Sequence, residues 1–427
     1  MSPLEVRASI SLASLFALRM LGLFLILPVF AVHAEHLPGG QNHTLVGLAL
    51  GIYGLTQGVL QLPFGAASDR LGRKRVIIFG LLVFAAGSFI AAAARDIQWI
   101  IVGRGVQGAG AISAAVMALL ADLTTDEHRT KAMAIVGASI GGMFALSMMA
   151  GPLLYRLIGM PGMFLLMGAL SLAGVLVTRY VVPHADPHTA HHADAAHAVH
   201  HEVAQVSASG TGGSDLRRSG MFETELLRLH YGIFALQTVQ VALFVVVPGA
   251  LAGAAGLPLA DHWKVYLPVV LLSFAFMLPP MRAAERSGHM KAVFIGAIGV
   301  MLAAQLALYW SLASLWGIAV SLLVYFSAFN LLAALLPSLI SRMAPARGRG
   351  RAIGVYNTMQ SLGSFVGGAA GGWMMQHYGG NAVFVLGGVL IAGWLVIALP
   401  MRPPQRRAAG QGVPAQSLGE PGRGVGV

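Results

Sequence analysis

The sequence predicts an all-α membrane protein whose twelve transmembrane helices form two pseudo-symmetric six-helix bundles. Three observations carry that expectation. The chain of 427 residues is 56% hydrophobic and only 10% charged, too little polar surface to enclose the apolar mass as a water-soluble globule. Apolar runs of bilayer length recur from one end of the chain to the other. A charged loop after the second run returns in worn form after the eighth, as two related halves require.

Each crossing needs ~20 mostly apolar residues. On that measure the chain divides into spans at 10–32, 44–64, 76–94, 97–120, 131–154, 163–182, 224–251, 264–282, 291–310, 314–341, 352–375 and 382–400. All must be helical, because backbone groups in hydrocarbon need partners within the segment. The run at 10–32 is too long for a signal-peptide core and no small-residue cleavage site follows, so it reads as span 1. The expected organisation is one bundle over 1–182, a polar linker over 183–222, a second bundle over 223–400, and a disordered cytoplasmic tail over 401–427.

A formal charge of +11 would suggest nucleic acid as partner of a soluble protein, but the placement of the cations excludes it. Of 27 Lys and Arg, only Arg95, Arg156 and Lys264 fall at the ends or in the loops of one side, and only Arg19 and Arg104 lie deep within spans. The remainder crowd the other side, which the positive-inside rule makes cytoplasmic, together with both termini. The expected partners are the lipid bilayer and a small-molecule substrate, and the chain is expected to be a monomer. With no cysteine, disulfides, thiol catalysis and cysteine metal sites are excluded. A membrane enzyme would need catalytic carboxylates or histidines clustered at one depth, and the predicted spans hold none.

The long polar insert between spans 6 and 7 carries His184, His188, His191, His192, His197, His200 and His201. It admits two readings. His191, His192, His200 and His201 are weak candidates for holding a metal ion, which would suit a non-transporting sensor or scaffold. Without regular ligand spacing or an ordered frame, the insert reads more simply as a linker with no metal.

The stretch at 65–75 reads GAASDRLGRKR, one acid and four cations between two apolar runs. Its pattern resembles the loop 2–3 signature, motif A, of the major facilitator superfamily, and the repeat at Glu285, Arg286, Gly288 and Lys291 matches it in outline. The resemblance implies a latch that fastens the two halves in one state, carried by Gly65, Asp69, Arg70, Gly72 and Arg73, with Asp122 as the partner of Arg73. A carboxylate at Asp69 could also cap the start of span 11. Span 4 contains Arg104, Gln107 and Gly108, similar to motif B, whose arginine the family associates with proton coupling. An arginine inside a span is costly unless it meets a cavity or a polar partner. Span 5 holds Gly142, Gly151 and Pro152, resembling motif C of drug:proton antiporters, although Leu154 and Tyr155 replace the expected glycines.

With LRMLGLF at 18–24 and IYGLTQ at 52–57, the chain is similar to the YajR-like group of drug:proton antiporters. That resemblance implies proton-coupled efflux of amphipathic, drug-like compounds across the cytoplasmic membrane, with no cofactor and the proton gradient as energy source. No carboxylate sits at mid-membrane, so the candidates for coupling are His230, Arg104 and Glu223. Candidates for lining a cavity are Arg19, Tyr53, Gln57, Gln237, Gln240, Asn330, Tyr356, Asn357 and Gln360. The pairs Gln237/Gln240 and Asn357/Gln360 share a helix face at i, i+3. Arg19 and Arg104 would keep that cavity positive, which also suits an anionic metabolite. Replacing 183–220 by a flexible linker of equal reach separates transporter from sensor: transport in membrane vesicles should persist, and its loss with the protein still in the membrane would favour the sensor.

Overall fold

The computed structural model describes residues 1–183, 224–253, 255–286, 289–344 and 349–401. Among them regular structure is helical throughout. Span 1 is Pro3–Phe24 followed, after a break, by Leu27–Ala34. Span 2 is His43–Leu71, span 3 Arg73–Ala93, and span 4 Ile97–Ala109 plus Ser113–Asp122. Spans 5 and 6 share one stretch, Asp126–Leu176, interrupted at Gly159 and ending in a π-helical turn, Val177–Val181. Spans 7 to 12 are Thr224–Ala252, Trp263–Arg286, Met290–Ser311, Leu315–Met343, Arg349–Tyr378 and Gly380–Ala398. The expected linker at 184–222 and tail at 402–427 lie outside the described residues.

Among the described residues ten helical stretches are long and apolar enough to cross a membrane. One of them, Gly141–Val181, holds 41 residues, far more than one crossing requires. At Gly159 the backbone adopts φ 65 and ψ 179, a conformation reserved for glycine, and this splits the stretch into spans 5 and 6. Gly379, with φ 80 and ψ 174, makes the corresponding turn between spans 11 and 12. Span 11 is helical from Arg349 to Tyr378 but carries too many amides, hydroxyls and glycines to qualify as apolar. It is enclosed by protein, where polar side chains are tolerated.

The structure corrects the expected loop at 65–75. Span 2 stays helical through Leu71 and span 3 starts at Arg73, so the connection is Gly72 alone, at φ 94 and ψ 135. A Cβ at Gly72 would meet nothing within 4 Å, so backbone conformation rather than space demands glycine here. Asp69 and Arg70 therefore belong to the last turn of span 2 and Arg73 to the first turn of span 3. Span 1 also begins earlier than expected, at Pro3, because Ser2 and Glu5 form a reciprocal capping box. Trp99, Trp310, Trp316, Trp373 and Tyr378 are exposed around the ends opposite the Gly72 connection, the belt that amphipathic rings form at a membrane interface.

Contacts sort the spans into two sets. Spans 1 to 6 pack among themselves, spans 7 to 12 likewise, and the sets meet chiefly where span 2 lies on span 11. Smaller contacts join span 8 to the Asp126–Leu176 helix and span 7 to Leu27–Ala34. The main seam is built from bare backbone. A Cβ on Gly47 would stand 2.1 Å from the Gly368 carbonyl, on Gly51 2.7 Å from that of Phe365, and on Gly54 2.6 Å from that of Ser361. From the other side, a Cβ on Gly372 would stand 2.4 Å from the His43 carbonyl. The His43 amide also donates to Gln376 Oε1 at 2.7 Å. This close approach occupies the half of span 2 away from Gly72; toward Gly72, a Cβ on Gly354 of span 11 would meet open space.

Because the chain lacks cysteine, the seam is open to a direct test. His43→Cys with Gln376→Cys should cross-link efficiently under oxidation. Adding Gly51→Leu should cut the yield several-fold without removing the protein from the membrane. An unchanged yield would show that the glycines do not hold the seam.

Candidate functional site

Arg73 organises the face around Gly72. Its Nε donates to Asp122 Oδ2 at 3.1 Å and its guanidinium to Ser68 Oγ at 2.9 Å and to the Asp69 carboxylate. All three charged groups are largely enclosed, with side-chain exposures of 17% for Arg73, 16% for Asp69 and 27% for Asp122. Each stands at the unfavourable end of its helix: Asp69 and Asp122 at C-termini, where the macrodipole repels an anion, and Arg73 at an N-terminus, where it repels a cation. Every such placement costs about 0.3–1 kcal/mol, and part-exposed ion pairs return about 0–1 kcal/mol each. The triad therefore contributes little net stability, and its effect is to join spans 2, 3 and 4 at one corner. Residues 345–348 and the side chains of 349–351, where the expected cap from Asp69 to span 11 falls, lie outside the described residues. Gly65 packs toward Ala114 of span 4, and Arg70 is exposed.

The second cluster is buried in the first half. Arg104 has no exposed surface; its Nη1 donates to the Gly22 carbonyl at 3.1 Å and to Gln107 Oε1 at 2.9 Å. Its guanidinium carbon lies 4.7 Å from the centre of the Tyr53 ring. Gln107 passes the chain on to Ser88 Oγ at 2.7 Å. Gly22 is in the last turn of Pro3–Phe24, where helix carbonyls lose their partners, so Arg104 caps the break in span 1. Gly108 lies against span 2 so closely that a Cβ would stand 2.2 Å from the Tyr53 carbonyl. Arg104 Nε and Nη2 have no partner among the described residues. Tyr53 was expected to line a cavity; it lies instead beneath Arg104, edge-on to Phe84 at 6.4 Å.

The motif C residues divide. A Cβ on Gly151 would be 2.8 Å from the Leu25 carbonyl and from Pro28, so this glycine seats span 5 against the same break in span 1, with Pro152 buried beside it. Gly142 faces open space. Near it Phe144 meets Phe24 edge to face at 5.2 Å and lies against the tilted rings of Phe326 and Phe329 of span 10 at 5.6 and 5.9 Å, an aromatic bridge between the halves.

The remaining candidates are spread over several helices. Arg19 is only 3% exposed, lies 5.7 Å from the Phe16 ring, and has Nε and Nη2 without partners. Gln237 Nε2 donates to Gln240 Oε1 at 2.8 Å, leaving Gln240 Nε2 without a partner. Gln57 reaches across the seam to Ser361 Oγ at 3.2 Å, and Asn330 donates to Ser273 Oγ at 2.9 Å within the second half. Tyr356 is buried, while Asn357 and Gln360 are half-buried. His230 Nε2 is 3.2 Å from the Ala352 carbonyl, tying span 7 to span 11. Glu223 and His191, His192, His200 and His201 lie outside the described residues. Among the described residues no group of His, Asp and Glu could hold a metal ion.

Sequence reasoning missed the seam glycines 47, 51, 54 and 58 and their counterparts 368 and 372. Their helical spacing is visible, but small residues recur through most spans and do not name a partner.

The model of the Major Facilitator Superfamily matches residues 12–281 and 265–421. The chain is 43% identical, over 95% of its length and 85% of the relative's, to the Inner membrane transport protein YajR of Escherichia coli. It is 31% identical over 155 residues, 33% of the chain and 39% of the relative, to the Multidrug resistance protein 1 of Bacillus subtilis. Among solved structures, a bacterial homologue of the human lysosomal transporter Spinster, in an inward-facing and occupied conformation, superposes with a TM-score of 0.74 at 13% identity, covering 93% of this chain and 97% of that one.

The ionic triad yields one expectation for whatever motion this face undergoes. Asp69→Asn should reduce substrate flux at least tenfold while leaving the amount of protein in the membrane unchanged. Wild-type flux in that variant would show that the corner is merely topogenic charge.

Proposed function

Because this chain belongs to the major facilitator superfamily, we propose that it exports small amphipathic compounds across the cytoplasmic membrane by alternating access, driven by the proton gradient. The observation that carries this reading is the asymmetry of the interface between the halves. On one face spans 2 and 11 touch backbone to backbone; toward the Gly72 connection, where the triad ties spans 2, 3 and 4 of the first half together, contact gives way to open space at Gly354. Packed backbone is stabilised only at short range, so this face can open as the other closes. Rocking about the seam would exchange the two closures. The crowding of cations on one side supports an orientation with the triad and both termini in the cytoplasm.

The proposed substrate path follows the half-buried amides of span 11, Asn357 and Gln360, and the Gln237/Gln240 pair of span 7, flanked by the aromatic bridge at Phe144, Phe326 and Phe329. Apolar walls with few placed amides suit compounds that are partly polar and varied in shape. The partial likeness to a multidrug resistance protein supports the same reading. For coupling, the candidates are His230, at the span 7–span 11 contact, and Arg104, the buried charge of span 4.

A second reading has its own observation. Arg19 and Arg104 are buried, each with two nitrogens unpartnered, and no Asp or Glu accompanies them among the described residues. A buried cation without a carboxylate attracts anions, so the substrate would be an anionic metabolite.

Proteoliposomes with an imposed pH gradient and a panel of cationic, neutral and anionic amphipathic compounds test both. Flux that grows with the gradient is expected, and flux indifferent to it would remove proton coupling. Export confined to anions would favour the second reading over the first. His230→Gln should abolish the response to the gradient while sparing downhill exchange.

A further inference from the structure

Away from the interface between the halves, span 6 ends abnormally. At Val177–Val181 the helix widens into a π-turn, in which the Val182 amide bonds the Val177 carbonyl five residues back at 3.0 Å. Such turns are rare and carry a cost in packing, so they persist where they redirect side chains toward a task. This one brings Arg179 and Tyr180 out onto the surface beside the first turns of span 1, where Leu4 and Arg7 are exposed. The end of the turn is pinned by Lys74, which donates to the Val182 carbonyl from the first turn of span 3.

Between the two helix ends lies a groove of about 420 Å³ lined by Pro3, Leu4, Arg7, Arg179, Tyr180 and Val182 among others. Arg179 lies 5.8 Å from the Tyr180 ring, which orients its guanidinium and leaves its donors outward. Neither Arg7 nor Arg179 forms an ion pair among the described residues. Up the same faces of spans 1 and 6 the exposed side chains are mostly apolar: Ile10 on one, beyond which the Ser14 hydroxyl donates back to the Ser11 carbonyl, and Leu172 and Leu176 on the other.

We propose that this groove is a specific site for an anionic phospholipid, its phosphate held between Arg7 and Arg179 and its acyl chains lying along Ile10, Leu172 and Leu176. The argument is complementarity at one depth. Two guanidiniums without carboxylate partners match phosphate oxygens by forked donation. Tyr180 supplies the ring that sits at headgroup level, and the apolar strip begins where a diacylglycerol would. In the orientation proposed above, this is the cytoplasmic leaflet, but the site itself does not depend on which way transport runs. Its occupant would bridge span 1, whose far half packs against span 7, to span 6 of the same bundle, and so steady one wall of that bundle.

Native mass spectrometry of the purified full chain, titrated with phosphatidylglycerol or phosphatidylcholine, tests the site. Phosphatidylglycerol should bind in preference, with affinity falling about fivefold for each charge removed in Arg7→Gln and Arg179→Gln. The double variant should bind both lipids alike, whereas Arg156→Gln at the opposite end should change nothing. Equal binding of the two lipids by the unaltered chain, or an undiminished preference in the double variant, would overturn the proposal. So would displacement of the lipid by millimolar glycerol phosphate, which would mark a site for a soluble anion. Should the variants fail to fold, a photoactivatable phosphatidylglycerol on the unaltered chain should label peptides covering 1–10 and 172–183; labelling only elsewhere would equally overturn it.

Discussion

Two helices from opposite halves touch through their peptide groups, and the architecture depends on that contact being possible. Lipid offers no hydrophobic gain for bringing helices together, so association rests on close packing, which falls off within an ångström or so. Glycines at 47, 51, 54, 368 and 372 remove the side chains that would hold spans 2 and 11 apart. Span 11 repeats the device on its other side: Cβ atoms on Gly363 and Gly367 would stand 2.5 and 2.2 Å from the carbonyls of Phe234 and Thr238 of span 7. One helix thus serves as the shared wall of both interfaces. Enclosure on both sides lets span 11 remain one continuous helix although it is more polar than the other spans.

Charge is handled differently at the two depths where it occurs. At the Gly72 corner the groups are largely enclosed, each opposes its helix dipole, and they are held by one another at the junction of spans 2, 3 and 4. Deep in span 4, Arg104 has no acid partner and is neutralised piecemeal by a frayed helix end at Gly22, a glutamine and the face of Tyr53. The break in span 1 between Phe24 and Leu27 is central to this arrangement, since it exposes the carbonyls that Arg104 and Gly151 meet from two sides. A straight span 1 would leave Arg104 without an acceptor and Gly151 without a seat. The break, the buried arginine and the small residue are therefore one structural unit contributed by three spans.

A rigid seam and a loosely balanced corner make a consistent pair. The first acts through shape and tolerates nothing larger than hydrogen at its contact points. The second acts through charges whose mutual attraction roughly offsets the cost of their placement. Only the first lies between the halves; the second holds three helices of one half together.

The sequence by itself determined how often the chain crosses the bilayer, which side gathers its cations, and that Asp69, Arg73, Asp122 and Arg104 would bear charge where charge is expensive. These are one-body properties: each residue carries its own cost of leaving water, and the sum along a window needs no knowledge of neighbours. Only the tertiary structure decided that the charged connection shrinks to Gly72, that Tyr53 serves Arg104, that Gln57 crosses the seam to Ser361, and that span 6 ends in a π-turn. Those are two-body properties. They depend on which backbone can approach which, and with 54 glycines distributed through the chain, spacing alone offers many possible partners and selects none of them.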